Sequence, residues 1–304
     1  MNSPPFTNAA IGLVLATIFD IPLIVDMKDD WVGSSAYWKK GKLRRVVESR
    51  IEQRVMRKAS AVITPSRRSY ETWVNRYSTL GVAKKIFFIP NGEDLEEFRF
   101  LNGRKRKPEG DRFRLLSAAA DYRLDYRDLT PFLQAMEMCI ERCPQTRDQI
   151  EIEFLGQDPD SSYKTWLERL LPPAAILYSG ILDRQALVEH LWRSDLFFLV
   201  QPRGNFTSVS GTLYEYWATG KAPVLLISEA GASSDLVVNN HLGEHFQFNQ
   251  VEEASQYLER MIQTFHDGHP VWIEKSGAEE FDRHKLAQQM VSIWSDTLIK
   301  FRRG

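Results

Sequence analysis

Cysteine is scarce in this sequence. Its 304 residues include two cysteines, Cys139 and Cys143, which share one face of a helical pattern. No further Cys or nearby His completes a metal-ligand set with them, so no metal site is predicted. We expect both thiols to be reduced, as thiols are in the cytosol, and the predicted localisation is cytoplasmic.

The sequence also lacks an excess of charge and a long hydrophobic run. Lys and Arg number 39 against 40 Asp and Glu, so there is no overall attraction to nucleic acid and no nucleic-acid partner is predicted. The longest apolar run, 11–25, is interrupted by Asp20 and Pro22 and is too short to span a membrane. No charged segment precedes it, so no secretory signal is predicted.

Strand patterns and helix patterns alternate along the chain. Strands are predicted at 22–27, 61–66, 85–92, 114–118, 150–155, 176–178, 196–200 and 224–227. Helices are predicted at 8–19, 37–59, 67–77, 129–143, 163–171, 183–192, 213–218, 251–265 and 284–301, with another beginning near 232. This alternation with short connections predicts α/β architecture with parallel, doubly wound sheets.

A change in composition predicts where one domain ends and the next begins. Residues 99–112 form a charged run without periodicity and are predicted to be a linker. It separates a partial Rossmann-like domain at 1–98 from a second Rossmann-like domain at 113–282. Residues 283–304 are predicted to form a helix that packs back toward the first domain, and residues 1–5 to form a loop.

The helix predicted at 37–59 is strongly basic. Val46, Val47, Ile51 and Val55 recur near helical spacing, so one side of this helix is predicted to pack inward. The basic side then faces solvent or anionic lipid head groups. The two predictions for the basic side are therefore a solvated face and peripheral contact with the inner face of a membrane.

The stretch 205–224 follows an apolar strand and leads into a short helix. Its first part holds small residues that can cap a helix and let backbone amides approach a ligand: Thr207, Ser208, Ser210, Gly211 and Thr212. The amino end of that helix favours a phosphate, and Glu215, one turn inside, is placed to accept hydrogen bonds from sugar hydroxyls. The alternative is an ordinary capped helix, and this stretch taken by itself favours that alternative.

Polar residues follow the strand predicted at 22–27. Because ligands gather at the carboxyl ends of strands in open α/β sheets, Asp29 is a site candidate. A charged loop with a packed Trp31 is the equally favoured alternative.

Several separate stretches match one set of motifs. They are Pro-Leu-Ile-Val-Asp-Met-Lys-Asp-Asp-Trp at 22–31, Ala-Ser-Ala-Val-Ile-Thr-Pro-Ser at 59–66, Ile-Pro-Asn-Gly-Glu-Asp at 89–94 with Phe98, Ser-Asp-Leu at 194–196, Glu-Tyr at 215–216 before Ala-Thr-Gly-Lys-Ala-Pro-Val at 218–224, and Gly243. In this order and spacing they resemble the retaining, nucleotide-sugar-dependent glycosyltransferases of the GT-B fold, of the family 4 type. The resemblance covers roughly the whole chain.

This resemblance implies a donor substrate and a set of site residues. The donor would be a nucleoside-diphosphate sugar of the UDP or GDP type, with no separate cofactor. Glu215 would bind the ribose, and Gly180 would pass beside the base. The diphosphate would meet amides or hydroxyls of Ser208, Ser210, Gly211, Thr212 and Leu213.

The chain departs from the family pattern at three places. Thr207 stands where the family often has a paired glutamate, and Thr212 stands where related members have a lysine. The passage that supplies cations to the diphosphate is replaced by 117–127, in which Arg123 and Arg127 are the predicted substitutes. Such cations matter because the leaving diphosphate gains charge in the transition state. The third departure is a short first domain, from which the resemblance implies an incomplete acceptor side.

The predicted function is hexosyltransferase-type transfer of a sugar to an acceptor hydroxyl, with retention of configuration. The acceptor would be a glycan, a lipid-linked sugar or a small molecule, and Asp29 is predicted to take part in catalysis on the acceptor side. One alternative is a degenerate or split GT-B chain that binds a nucleotide or a partner subunit without catalysis. Another is a nucleotide-sugar epimerase of the same fold, which the Pro-Asn-Gly passage disfavours.

Overall fold

A computed structural model describes residues 1–33, 41–108, 110–119 and 121–303. Residues 37–40 of the predicted basic helix, 109 of the linker, 120 of the cationic passage and 304 of the last helix lie outside the described residues. The chain divides into two compact units. Unit 1 comprises Met1–Gly92, Gly204–Val209 and Glu280–Gly304, and unit 2 comprises Glu93–Arg203 and Ser210–Glu279.

The helices and strands alternate through most of the described chain. The strands are β1 Asn2–Ser3, β2 Ile24–Met27, β3 Ala61–Thr64, β4 Ile86–Phe88, β5 Phe113–Ser117, β6 Ile150–Leu155, β7 Ile176–Gly180, β8 Leu196–Val200, β9 Val224–Ile227 and β10 Gly243–Phe246. The helices are α1 Thr7–Ile18, α2 Lys42–Lys58, α3 Arg67–Arg76, α4 Thr130–Arg142, α5 Thr146–Gln149, α6 Ser161–Leu170, α7 Arg184–Arg193, α8 Gly211–Thr219, α9 Ala232–Asn239, α10 Val251–His266 and α11 Arg283–Arg303. A 3-10 helix covers Leu95–Leu101.

Unit 1 contains a parallel sheet in the order β1-β2-β3-β4. The prediction of a loop at 1–5 is wrong in part, because Asn2 and Ser3 form an edge strand that pairs with Asp26 and Met27. The pairing is a backbone interaction that the side chains of this Pro-rich start do not signal. Helix α11 lies in unit 1, where Leu286 packs with the β3 residue Ile63.

Unit 2 contains a parallel sheet in the order β10-β9-β8-β5-β6-β7. From β5 the chain winds outward through β6 and β7, and from β8 it winds the other way through β9 and β10. The strand order therefore reverses between β5 and β8. Both sheets carry helices between parallel strands, which confirms the predicted α/β class with Rossmann-like units.

Strand β10 was not predicted from the sequence. It has the sequence Gly-Glu-His-Phe, in which Phe246 is the buried residue, so it lacks the apolar run that marks a central strand. Its first residue approaches β9 closely. An added Cβ on Gly243 would lie 2.0 Å from the Val224 carbonyl oxygen, and the φ angle of Gly243 is +152°.

Helix α2 buries its carboxyl half, where Glu52, Val55 and Met56 lie. Val46 and Val47, which the spacing placed on the inward side, are instead 48% and 47% exposed. The prediction that Val46 and Val47 pack inward is therefore wrong. Helical spacing alone does not show that burial in α2 is confined to the last turns. No helix in the described ranges is long and apolar enough to cross a membrane.

A largely buried cluster of charged residues links helices α2 and α3 to the loop after β2 in unit 1. Nη1 and Nη2 of Arg76 donate to the two carboxylate oxygens of Asp30, at 2.6 and 2.7 Å. Arg76 Nη1 also lies 3.6 Å from Oε1 of Glu52, whose side chain is fully buried. Burial, followed by repulsion from Asp30, raises the pKa of Glu52 to about 8.

Candidate functional site

Two loops leave the sheet of unit 2 where its strand order reverses. One follows β5, which ends at Ser117, and the other follows β8, which ends at Val200. In open α/β sheets, ligands bind outside the carboxyl ends of the strands at such a reversal. The loop after β5 carries Arg123 and Arg127, and the chain after β8 leads to α8.

The amino end of α8 is the place where the sequence predicts an anion site. Ser210 is the N-cap residue, and its side chain makes no capping hydrogen bond to the helix. A Cβ added to Gly211 would meet nothing within 4 Å among the described residues, so the space beside the first turn is open. The Leu213 amide already donates to the Ser210 carbonyl, at 3.1 Å. The first-turn amides of Gly211 and Thr212 therefore remain as donors for an anion.

Tyr216 fixes α8 against the sheet. Its hydroxyl oxygen accepts a 2.9 Å hydrogen bond from the Ala118 amide, directly after β5. Its ring stacks on Phe197 of β8, with the ring centroids 4.1 Å apart. Burial raises the pKa of Tyr216, so the hydroxyl stays neutral. These contacts hold α8, and with it Glu215, at the two strands where the order reverses.

Glu215 is held by an arginine that the sequence did not single out. Arg184 Nη1 donates to Glu215 Oε1 at 2.8 Å, and Nη2 donates to Glu93 Oε1 at 2.6 Å. Its Nε donates to Glu97 Oε2. Burial alone would lower the pKa of Arg184, but the three carboxylates outweigh it and raise that pKa. The sequence signal for Arg184 is its place four residues after Gly180, which the resemblance puts beside the base.

Gly180 ends β7 with a φ angle of +63°, and a Cβ there would meet nothing within 4 Å in the described part of the chain. Its carbonyl oxygen accepts a 2.7 Å hydrogen bond from the Gly156 amide. The backbone at the end of β7 therefore lies open, as a surface beside a base requires. Its role beside the base stays a prediction.

The loop after β5 contains both predicted cations. Arg123 Nε lies 3.2 Å from Asp121 Oδ1, so much of its charge is balanced locally. The guanidinium groups of Arg123 and Arg127 lie 6.0 and 5.8 Å from the ring centroid of Tyr126. The structure thus brings the two arginines to one aromatic ring. A diphosphate contact for either one stays a prediction.

Asp29 and Ser208 come together in unit 1. Ser208 Oγ donates to Asp29 Oδ1 at 3.1 Å. Beside them the Ser66 hydroxyl donates to the Thr207 carbonyl. Residues 204–209 belong to unit 1, whereas Ser210–Glu279 belong to unit 2. The sequence placed both halves of this stretch in the second domain.

Histidine, cysteine and carboxylate side chains of the described residues do not gather into a metal site. Among residues 1–33, 41–108, 110–119 and 121–303, no group of three such residues could hold a metal ion. Cys139 and Cys143 are free thiols. Burial raises the pKa of Cys139 to about 12, so its thiol stays protonated.

Comparison with known proteins identifies the fold. No protein-family model matches the chain, and no curated protein matches it. Sucrose-phosphate synthase from Thermosynechococcus elongatus matches with a TM-score of 0.67 and 16% identity, over 98% of this chain and 73% of the synthase. Alpha,alpha-trehalose 6-phosphate synthase from Burkholderia multivorans matches with a TM-score of 0.64 and 14% identity, over 97% and 69%.

A third solved structure is WaaG, a glycosyltransferase involved in lipopolysaccharide biosynthesis. It matches with a TM-score of 0.57 and 14% identity, over 92% of this chain and 75% of WaaG. The chain therefore has the GT-B fold of these glycosyltransferases, and that prediction from the motifs is confirmed. At these identities the likeness identifies the fold, and function has to be argued from the site.

Proposed function

We propose that this chain transfers a sugar from a nucleoside-diphosphate sugar to an acceptor hydroxyl. The observation that carries the proposal is the open amino end of α8 at the strand reversal, with Glu215 one turn inside it. A diphosphate fits the amino end of α8, because helix amides bind anions. A ribose fits Glu215, because a carboxylate accepts hydrogen bonds from hydroxyls. The GT-B fold supports this class of donor.

The proposed donor is of the UDP or GDP type. The diphosphate lies against the amides and hydroxyls of the segment from 210 to 213, and the base passes beside Gly180. Ser208 completes the set through a hydroxyl that donates to Asp29 in the structure. Donating to a diphosphate would require this hydroxyl to turn from Asp29.

Catalysis requires positive charge close to the leaving diphosphate, which gains negative charge in the transition state. Arg127 and Arg123 are the proposed cations, since both lie in the loop after β5 at the strand reversal. Fixed cations in a cleft stabilise the developing charge without reorganisation. Asp29 is the proposed acceptor-side carboxylate. We propose transfer of a hexose with retention, to a glycan, a lipid-linked sugar or a small molecule.

Replacement of Glu215 by alanine should weaken nucleotide binding at least about tenfold, because the ribose loses a charged acceptor. The measurement is titration calorimetry of the wild type and the variant with UDP and with GDP. Glu168→Ala removes an exposed carboxylate from α6 of the same unit and is the matched control. Its affinity should equal that of the wild type. Equal affinities in Glu215→Ala and the wild type would refute the assignment.

A second candidate function is nucleotide binding, or binding of a partner subunit, without turnover. The observation that favours it is the ion pair between Arg123 and Asp121, which places a negative charge beside one of the two predicted cations. The two functions differ in one readout. An enzyme releases the nucleoside diphosphate from at least one nucleotide sugar in a panel, whereas a binding protein binds UDP or GDP and releases none.

Peripheral membrane contact is proposed for helix α2. Leu43 is 80% exposed on this basic helix, beside the exposed Val46 and Val47. Exposed apolar side chains among cations suit an anionic lipid surface. The chain should therefore sediment with phosphatidylglycerol vesicles, and Leu43→Ser with Val47→Ser should reduce the bound fraction. Equal binding to phosphatidylcholine vesicles would contradict this contact.

A further inference from the structure

Each nitrogen of the Arg184 guanidinium serves a different carboxylate of unit 2. Glu215 lies on α8, whereas Glu93 and Glu97 lie in the segment that enters the unit. The Glu93 side chain is 3% exposed, so this partner fixes Arg184 from a buried side. The guanidinium carbon lies 5.4 Å from the ring centroid of Phe98. Four contacts therefore leave Arg184 little freedom to move.

The contact with Glu215 uses one carboxylate oxygen. Oε1 accepts from Arg184, and no residue in the described ranges binds Oε2. The Glu215 side chain is 20% exposed, so part of it meets solvent. A carboxylate held at one oxygen and open at the other is preset to accept from a ligand hydroxyl. Without Arg184, Glu215 would lose its fixed rotamer and would face two further carboxylates without a cation.

We propose that Arg184 is a positioning residue that presets Glu215 for a ribose hydroxyl and thereby sets the preference for ribonucleotides over deoxynucleotides. The inference rests on the proposed function and adds a specificity-determining residue to the same site. The physical reason is preorganisation. A carboxylate that is already held in place gains more from a hydroxyl donor than one that must first be ordered.

The test compares UDP and GDP with their 2′,3′-dideoxy analogues by titration calorimetry. The quantity measured is the ratio of the two dissociation constants, because loss of affinity from a general structural change would act on both ligands. The wild type should prefer the ribonucleotide at least about tenfold. Arg184→Gln should reduce this preference to less than about threefold, whereas Arg184→Lys, which keeps one charge, should give an intermediate ratio.

Arg193→Gln is the matched control. Arg193 is an exposed arginine at the other end of α7, so its replacement should leave the ratio at the wild-type value. A wild-type ratio in Arg184→Gln would overturn the inference while leaving nucleotide binding intact. Should Arg184→Gln fail to fold, a wild-type ratio in Arg184→Lys would overturn it in the same way. A wild type that binds neither UDP nor GDP would overturn the proposed function, and the role of Arg184 with it.

Discussion

Arg76→Ala should lower the free energy of unfolding by about 3 kcal/mol or more, because it leaves a buried carboxylate without its cation. Asp30 is 4% exposed at its side chain and receives both of its short ion-pair contacts from Arg76. The measurement is urea unfolding followed by circular dichroism. Arg67→Ala removes an exposed arginine from the same helix, α3, and should change the stability by less than about 0.5 kcal/mol. A similar small loss in both variants would show that the cluster contributes little.

Glu52→Gln separates the charge of this cluster from its packing. The pKa of Glu52 is raised to about 8 in the folded chain, from an ordinary value of 4.5. Between these values the folded state keeps a proton that the unfolded state releases, so the stability of the wild type falls as pH rises toward 8. Glutamine has no such proton. The stability of Glu52→Gln relative to the wild type should therefore rise between pH 5 and pH 8, and parallel pH curves would contradict this account.

Gly243→Ala should cost at least about 3 kcal/mol of unfolding free energy, because strain and overlap add together. The new Cβ would lie 2.0 Å from the carbonyl oxygen and 2.5 Å from the nitrogen of Val224, and these backbone atoms belong to β9. Neither atom can move without disturbing the pairing of β10 with β9. Thermal and urea unfolding measure the loss.

Gly268→Ala is the control that isolates the strain. Gly268 has a φ angle of +80°, but a Cβ there would meet nothing within 4 Å among the described residues. Its replacement should cost only about 1 kcal/mol, for the left-handed backbone alone. Similar losses in the two variants would mean that the approach of Gly243 to β9 is looser than the structure shows.

The central strands β8 and β9 of unit 2 were predictable, whereas the edge strand β10 was not. β8 and β9 begin and end at the predicted residues, since both are fully buried and read as continuous apolar runs. β10 pairs with β9 on one side and carries polar residues, so its pattern does not differ from that of a loop. The same reason applies to β1, where two residues pair through the backbone.

In the candidate site, some features set by neighbouring residues were predictable, whereas contacts between residues far apart in the sequence were not. The helix at 213–218 was predicted from neighbouring residues; it begins two residues earlier, at Gly211, and it contains Glu215. Arg184 meets Glu93 and Glu97 from 91 and 87 positions away, and no spacing rule connects such residues. The ion pair between Arg123 and Asp121 is local, yet its geometry depends on an Asp121 backbone with a φ angle of 76°. Neither the distant contact nor this backbone turn could be predicted from residue types.

The most direct test of a nucleotide-sugar site in unit 2 is a crystal structure of the chain soaked with UDP or GDP. The predicted result is a diphosphate at the amino end of α8 and a ribose hydroxyl within hydrogen-bond distance of the Glu215 carboxylate. Nucleotide density elsewhere on the chain, or a site left empty at saturating UDP and GDP, would contradict the account.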